Sequence, residues 1–286
     1  MKKFFLLAAA SLLAVVDVNA QLEAAKPYKE LSQLPNLLQI MPAPPSFESA
    51  EFANDVVRYG WGKQQRLDPE RLDMAVADAE WFDHTKVYLR WKDAFGLEIT
   101  PTETPEIWKL LEASLATTDP MNHETKDFYL RQSPFERFGD DMPTDEEEKV
   151  RGRGSYLSGH CMCGWVISLV LAQVASERAN QLFIRGLEYG DSRVIVGAHW
   201  QSDIDASLTA GSIGFCALQG CEESVAQMKK AQQEYKVKTG QATGISQTAT
   251  APASAHQARI YTINGMPANK STHGIVVQNG KKTIWN

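Results

Sequence analysis

Residues 161–180 carry the strongest apolar stretch of helical spacing in this chain, with Trp165, Val166, Leu169, Val170 and Val174 among them. Nothing before Gln257 alternates in the two-residue period of a strand. A chain patterned this way can bury its apolar surface only by packing helix on helix. The same spacing predicts a shorter helix over 182–189, and one that begins near His199 and runs through Ile204, Leu208 and Ile213. A last helix is predicted from Glu222 to Val237, basic toward its end as the helix dipole favours. Upstream, Phe52, Val56 and Tyr59 fall on one face, and Leu72, Ala75, Val76 and Ala79 on another, with Asp68 as N-cap and Pro69 at the first helical position. Trp81, Val87, Leu89, Trp91 and Phe95 continue a buried helical surface, and a helix from Thr104 to Ala116 follows. The Pro-rich stretch 27–48 is expected to run extended over the surface.

The two ends read differently. Lys2 and Lys3, an apolar run from Phe4 to Val16 and the small residues ending at Ala20 have the form of a secretory signal peptide over residues 1–20. Cleavage near Ala20 predicts a periplasmic or secreted protein. No other apolar stretch approaches the ~20 residues a spanning helix needs, so no integral membrane span is expected. A helical domain over 21–238 is then followed by a linker at 239–258, rich in Ala, Thr, Ser, Gln and Gly. Residues 259–286 hold the β-like runs Arg259–Ile263 and Gly274–Gln278, punctuated by Asn264-Gly265 and Asn279-Gly280. Asn-Gly is a strong hairpin signal. This tail loosely resembles the C-terminal sorting segments of proteins exported by the type IX route; a plain disordered tail is the competing reading.

A net charge of −6 with no basic stripe gives no invitation to nucleic acid. Export permits disulfides, yet Cys161, Cys163, Cys216 and Cys221 are not spaced like a disulfide framework and are read as small apolar fillers. The Cys-x-Cys at 161–163 lacks the spacing of a structural zinc site. Gly139 to Gly154 carries six acidic residues and reads as a solvated loop, or as an acidic rim that repels polyanions.

Three blocks hold the chemistry. In the third, Ser192-Arg193 precedes His199 and Asp203. Four residues apart on a helix, a carboxylate can hold one ring nitrogen of an imidazole and leave the other as a nucleophile or base. Arg193 can fork onto phosphate oxygens. In the second block Ser158, Gly159 and His160 stand at a helix start, where backbone amides favour an anion. The first block, from Lys126 to Gly139, offers Lys126 as a cation. Each block alone has an ordinary structural explanation; their company gives them weight.

Together they resemble the class A bacterial non-specific acid phosphatases, within the type 2 phosphatidic acid phosphatase and vanadium haloperoxidase superfamily. That superfamily's pattern is Lys-x6-Arg-Pro, then Pro-Ser-Gly-His, then Ser-Arg-x5-His-x3-Asp. The stretches Gly154–His160 and Gly190–Asp205 match beyond the minimal motif, and the likeness spans residues 35–237. The resemblance implies an all-α helical bundle that hydrolyses small phosphate monoesters with no metal or other cofactor. It assigns His199 as the nucleophile that becomes phosphohistidine, Asp203 as its orienting group and His160 as the acid and then the base. Lys126, Ser158, Gly159 and Arg193 would hold the phosphoryl oxygens. Two positions depart from the pattern: Leu157 replaces Pro, and Ser133 stands where the first Arg belongs, with Pro134 in register. Arg131 or Arg137 would have to swing in to compensate, or Ser133 donate one hydroxyl hydrogen bond. The loss motivates one rival, a catalytically weakened phosphate-binding relative; a vanadate-dependent haloperoxidase is the other. Oligomeric state is left open, a homo-oligomer included.

Overall fold

The computed structural model describes residues 25–241 throughout and, beyond them, the backbone of three short strands. The predicted signal peptide and most of the linker lie outside the described residues. The chain divides into two compact units, Met1–Thr239 and Gly240–Asn286.

The first unit is all-α. Its principal helices are α1 (Phe52–Gln65), α2 (Pro69–Ala77), α3 (Pro105–Thr118), α4 (His123–Tyr129) and α5 (Pro134–Phe138), then α6 (Gly159–Val174), α7 (Ala179–Val196), α8 (Gln201–Gln219) and α9 (Glu222–Lys238). Shorter helical segments at Leu37–Ile40, His84–Leu89, Lys92–Phe95 and Glu147–Val150 lie between them. Helix α6 is the centre of the bundle. Met162, Cys163, Val166, Ile167, Val170 and Leu171 on it are fully buried and meet Trp91, Ile107, Leu110, Leu111 and Tyr189 in one core. Each such side chain contributes about 1.5–3 kcal/mol by leaving water.

Helix α7 is longer than the 182–189 segment predicted and runs through both Gly186 and Gly190. A Cβ on Gly186 would run into the Ser168 hydroxyl, and one on Gly190 would lie 3.0 Å from Cys161 Sγ. These glycines let α7 lie close on α6, and a helix packed this tightly tolerates their low propensity. The extension matters, because it carries Arg193 in the last turn of a long, firmly packed helix.

Other expectations shift for similar reasons. Asp68 caps α2 as predicted, accepting from the amides of Glu70 and Arg71. On α1 the buried face is Phe52, Asp55, Tyr59 and Gly62, while Val56 is exposed. Asp55 takes the inner position because it has a buried cationic partner. Leu89 is likewise exposed and Tyr88 buried in its stead. The Pro-rich stretch is not confined to the surface: Leu34, Leu37 and Met41 enter the core. All four cysteines are free; Cys161 and Cys163 are buried fillers on α6, whereas Cys216 is exposed.

In the second unit, β1 (Ile260–Thr262), β2 (Gly274–Gln278) and β3 (Lys281–Trp285) form an antiparallel sheet in that order. Gln278 pairs with Lys281 across the two-residue Asn279-Gly280 connection. The run predicted at Gly274–Gln278 is β2.

Candidate active site

A cavity of about 700 Å³ opens in the helical unit. Lys126, Ser133, Gly159, His160, Arg193 and His199 all contribute to its wall. Asn122, Ser155, Arg153, Trp81 and Phe82 share that wall.

Local backbone geometry explains the spacing between Arg193 and His199. Arg193 lies in the last turn of α7, Gly197 caps the helix with φ +88°, and its amide closes back onto the carbonyls of Arg193 and Val194. The amides of Ala198 and His199 also reach the Arg193 carbonyl, at 3.1 and 3.3 Å. Only glycine adopts this left-handed cap at little cost. His199 is thereby folded back beside the residue six positions before it. Helix α8 begins only at Gln201, so His199 precedes the helix instead of starting it.

The brace on His199 also differs from expectation. Nδ1 lies 2.7 Å from the Ser155 carbonyl oxygen, but 3.9 Å from Asp203 Oδ2. A carbonyl can only accept, so Nδ1 carries the proton and Nε2 keeps its lone pair. Asp203 sits one layer behind. It accepts from the Trp200 amide at 2.9 Å, capping α8, and pairs with Arg131. Arg131 also pairs with Asp55 at 2.8 Å, and all three side chains are nearly or fully buried. Asp203 shapes the backbone that presents His199, and the hydrogen bond itself belongs to Ser155.

Lys126 is anchored by the same loop as His199. Lys126, in the last turn of α4, donates to the Gly154 carbonyl at 3.0 Å. Gly154 has φ +76°, and a Cβ there would lie 3.0 Å from the Lys126 carbonyl oxygen. His160 is held by Nε2 against the Ala79 carbonyl at 3.2 Å, with the Trp81 ring 5.2 Å from its own. Arg193 is fully buried, and none of its N–H donors meets an acceptor in hydrogen-bonding alignment. Its Nη2 nevertheless lies 2.7 Å from Glu146 Oε1.

Electrostatics follow from this crowding. Burial, followed by the charges of Lys126 and Arg193, pushes the His199 imidazole well below its ordinary range. His160 is driven down the same way, by burial and then Arg193. Burial pushes the Lys126 amine down to about 8, against a pull upward from Asp203. Asp203 is raised by burial, with Arg131 opposing. A site with two neutral imidazoles and two cations, one of them short of acceptors, is suited to an incoming anion. Among the described residues, no group of three or more His, Cys, Asp or Glu side chains is arranged to hold a metal ion.

The PAP2 superfamily pattern matches residues 108–221, a span that holds Lys126, His160, Arg193, His199 and Asp203. The chain is 36% identical over 210 residues to the non-specific acid phosphatase of Providencia stuartii, covering 73% of this chain and 84% of that protein. It is 33% identical over 207 residues to the non-specific acid phosphatase of Salmonella typhimurium strain LT2, covering 72% and 82%. An acid phosphatase of Zymomonas mobilis is 27% identical over 221 residues, covering 77% and 83%.

The chain belongs to the non-specific acid phosphatase family.

Within that family frame the departures become concrete. Ser133 lines the cavity, but its hydroxyl and amide both donate to the Glu136 carboxylate as a capping box for α5. Arg131 is occupied behind His199, and Arg137 lies over the Phe47 ring at 4.6 Å. Neither arginine reaches the cavity wall. Ser158 also stays off that wall: its hydroxyl accepts from the Cys161 amide as the cap of α6, and its own amide donates to Ser207. The acidic loop is more than a solvated stretch, since Glu146 pairs with buried Arg193, and Asp140 accepts from Tyr59 and Lys63. Sequence reasoning missed Ser155, which acts through a carbonyl and carries no side-chain signal. It missed Asn122 as well, a buried cavity residue whose Oδ1 has no partner.

Proposed function

We propose that this phosphoric monoester hydrolase works through a phosphohistidine on His199, without a metal, on a broad range of small phosphate monoesters. His199 Nε2 attacks phosphorus, forming the N–P bond as the P–O bond to the leaving group breaks. His160 supplies the proton that the leaving oxygen takes. Its Nε2–H is held by the Ala79 carbonyl, so in the imidazolium form it is Nδ1 that carries the transferable proton. Water then attacks the phosphohistidine, giving its proton back to His160 Nδ1 and releasing inorganic phosphate. Lys126, Arg193 and the amides at the start of α6 neutralise the oxygens, the charge stabilisation that phosphoryl transfer chiefly requires. The observation that carries this reading is the His199 hydrogen bond to the Ser155 carbonyl, which leaves Nε2 basic in a cavity lined by Lys126 and Arg193. We propose in the same terms a signal peptide over 1–20, a helical catalytic domain over 21–238, a linker over 239–258 and a periplasmic or secreted location. No helix among the described residues is long and apolar enough to cross a membrane.

An acidic optimum follows from His160, whose acid form is scarce until the pH falls. The test is aryl phosphate hydrolysis across pH 4–8 with chelator present, comparing wild type with His199→Ala. Chelator-resistant turnover that vanishes in the variant supports the mechanism. Phosphate binding without turnover would favour the weakened relative that Ser133 suggests, and peroxide-dependent halide oxidation with added vanadate would favour a haloperoxidase.

A further inference from the structure

We propose that Arg153 is the second guanidinium of this site, gripping substrate phosphoryl oxygens from the cavity mouth in place of the arginine that Ser133 replaces. The proposal rests on the phosphatase reading above.

A vacancy in the charge count motivates it. The pattern this chain resembles holds two arginines, and Ser133 stands in place of one, leaving Arg193. Both nearby substitutes are engaged: Arg131 by Asp55 and Asp203, Arg137 by the Phe47 ring. Arg153 lines the same cavity as Lys126, His160, Arg193 and His199. It is exposed, and no carboxylate among the described residues pairs with it, whereas Arg151 pairs with Glu147 and Arg193 with Glu146.

Its backbone is held where the chemistry is. The Arg153 amide donates to the Val150 carbonyl at 3.2 Å, and the flanking Gly152 and Gly154 have φ +70° and +76°. The next two carbonyls along, Gly154 and Ser155, receive Lys126 Nζ and His199 Nδ1. The Ser155 amide is tied in turn to the Arg131 carbonyl at 2.8 Å. A guanidinium tethered next to two such anchors has a short reach to any phosphoryl group that Lys126 and His199 contact. Its solvent exposure sets its role. A screened, mobile cation strengthens encounter and ground-state binding more than it stabilises a buried transition state, so its loss falls mainly on KM.

The experiment compares Arg153→Ala, Arg153→Lys and an Arg151→Ala control in the full chain, with aryl phosphate turnover and inhibition by inorganic phosphate as readouts. For Arg153→Ala the expected result is KM and the phosphate inhibition constant both raised about five- to tenfold, the loss of one partly exposed charge-assisted contact, and kcat lowered no more than about threefold. Arg153→Lys keeps most of the affinity, and Ser133→Arg placed in the Arg153→Ala background restores it. Unchanged KM and phosphate inhibition in Arg153→Ala, with the wild type active, would overturn the inference and leave the phosphatase reading standing. An equal loss in Arg151→Ala would overturn it too, because it would mark a general field effect. A wild type that neither turns over aryl phosphate nor binds phosphate would take down both.

Discussion

Two buried arginines flank the 199–203 segment, and they are used in opposite ways. Behind it, Arg131 is matched by Asp55 and Asp203 and bonded to the Ser202 hydroxyl. In front, Arg193 faces the cavity with its donors unaligned to any acceptor, near a single carboxylate from a surface loop. A buried charge neutralised by its own fold is scaffold; one left short of partners is held ready for a ligand. The comparison separates the groups that hold the site from the groups that use it.

The largest effect expected from breaking this contrast lies on the scaffold side. Arg131→Ala leaves Asp55 and Asp203 buried without a cation, and should cost about 3–5 kcal/mol of stability, read by denaturant unfolding. On the ligand side, Arg193→Ala should lower kcat/KM for an aryl phosphate about 10²–10³-fold while the unfolding midpoint moves little. If both variants lose stability alike, the contrast is wrong.

The pH profile sharpens it further. His160 is depressed in the free enzyme, so its acid form disappears as pH rises through a value below the ordinary ~6.5 of imidazole. The falling limb of kcat/KM should therefore lie below that value. A bound phosphate dianion offsets the charges of Arg193 and Lys126, so the same limb in kcat should move to higher pH. His199 is depressed too, which keeps its imidazole neutral well into the acid range. Lys126, at about 8, stays charged across this window, so a first falling limb near pH 8 would point to it and away from His160. The smallest effect belongs to Glu146→Gln. Removing the carboxylate beside Arg193 should tighten inhibition by inorganic phosphate about two- to fivefold, and weaker inhibition would mean that Glu146 orients Arg193.

The helical architecture was legible because α3, α6, α8 and α9 repeat apolar residues at helical spacing and Asp68 marks a helix start. The motif residues were legible as side chains. What escaped the sequence was the backbone's share of the site. Ser155 and Gly154 act through carbonyls, Gly197 through its left-handed φ, and Gly186 and Gly190 through close packing on α6. Buried carboxylates such as Asp55 gave no signal for a related reason. Their burial depends on a partner 76 residues away, Arg131, which no local period encodes. Arg153 gave no signal in a loop whose acidic residues drew attention instead.

We propose above all that phosphate passes through a covalent bond to His199. Mixing enzyme with aryl phosphate, quenching in alkali within the turnover time and mapping phosphorylated peptides by mass spectrometry tests it directly. The expected result is a phosphoryl group on residue 199, absent when His199 is replaced by Ala and lost once the aryl phosphate is consumed. Turnover with no phosphoenzyme, together with inversion of configuration at phosphorus, would mean that water attacks directly and would contradict it.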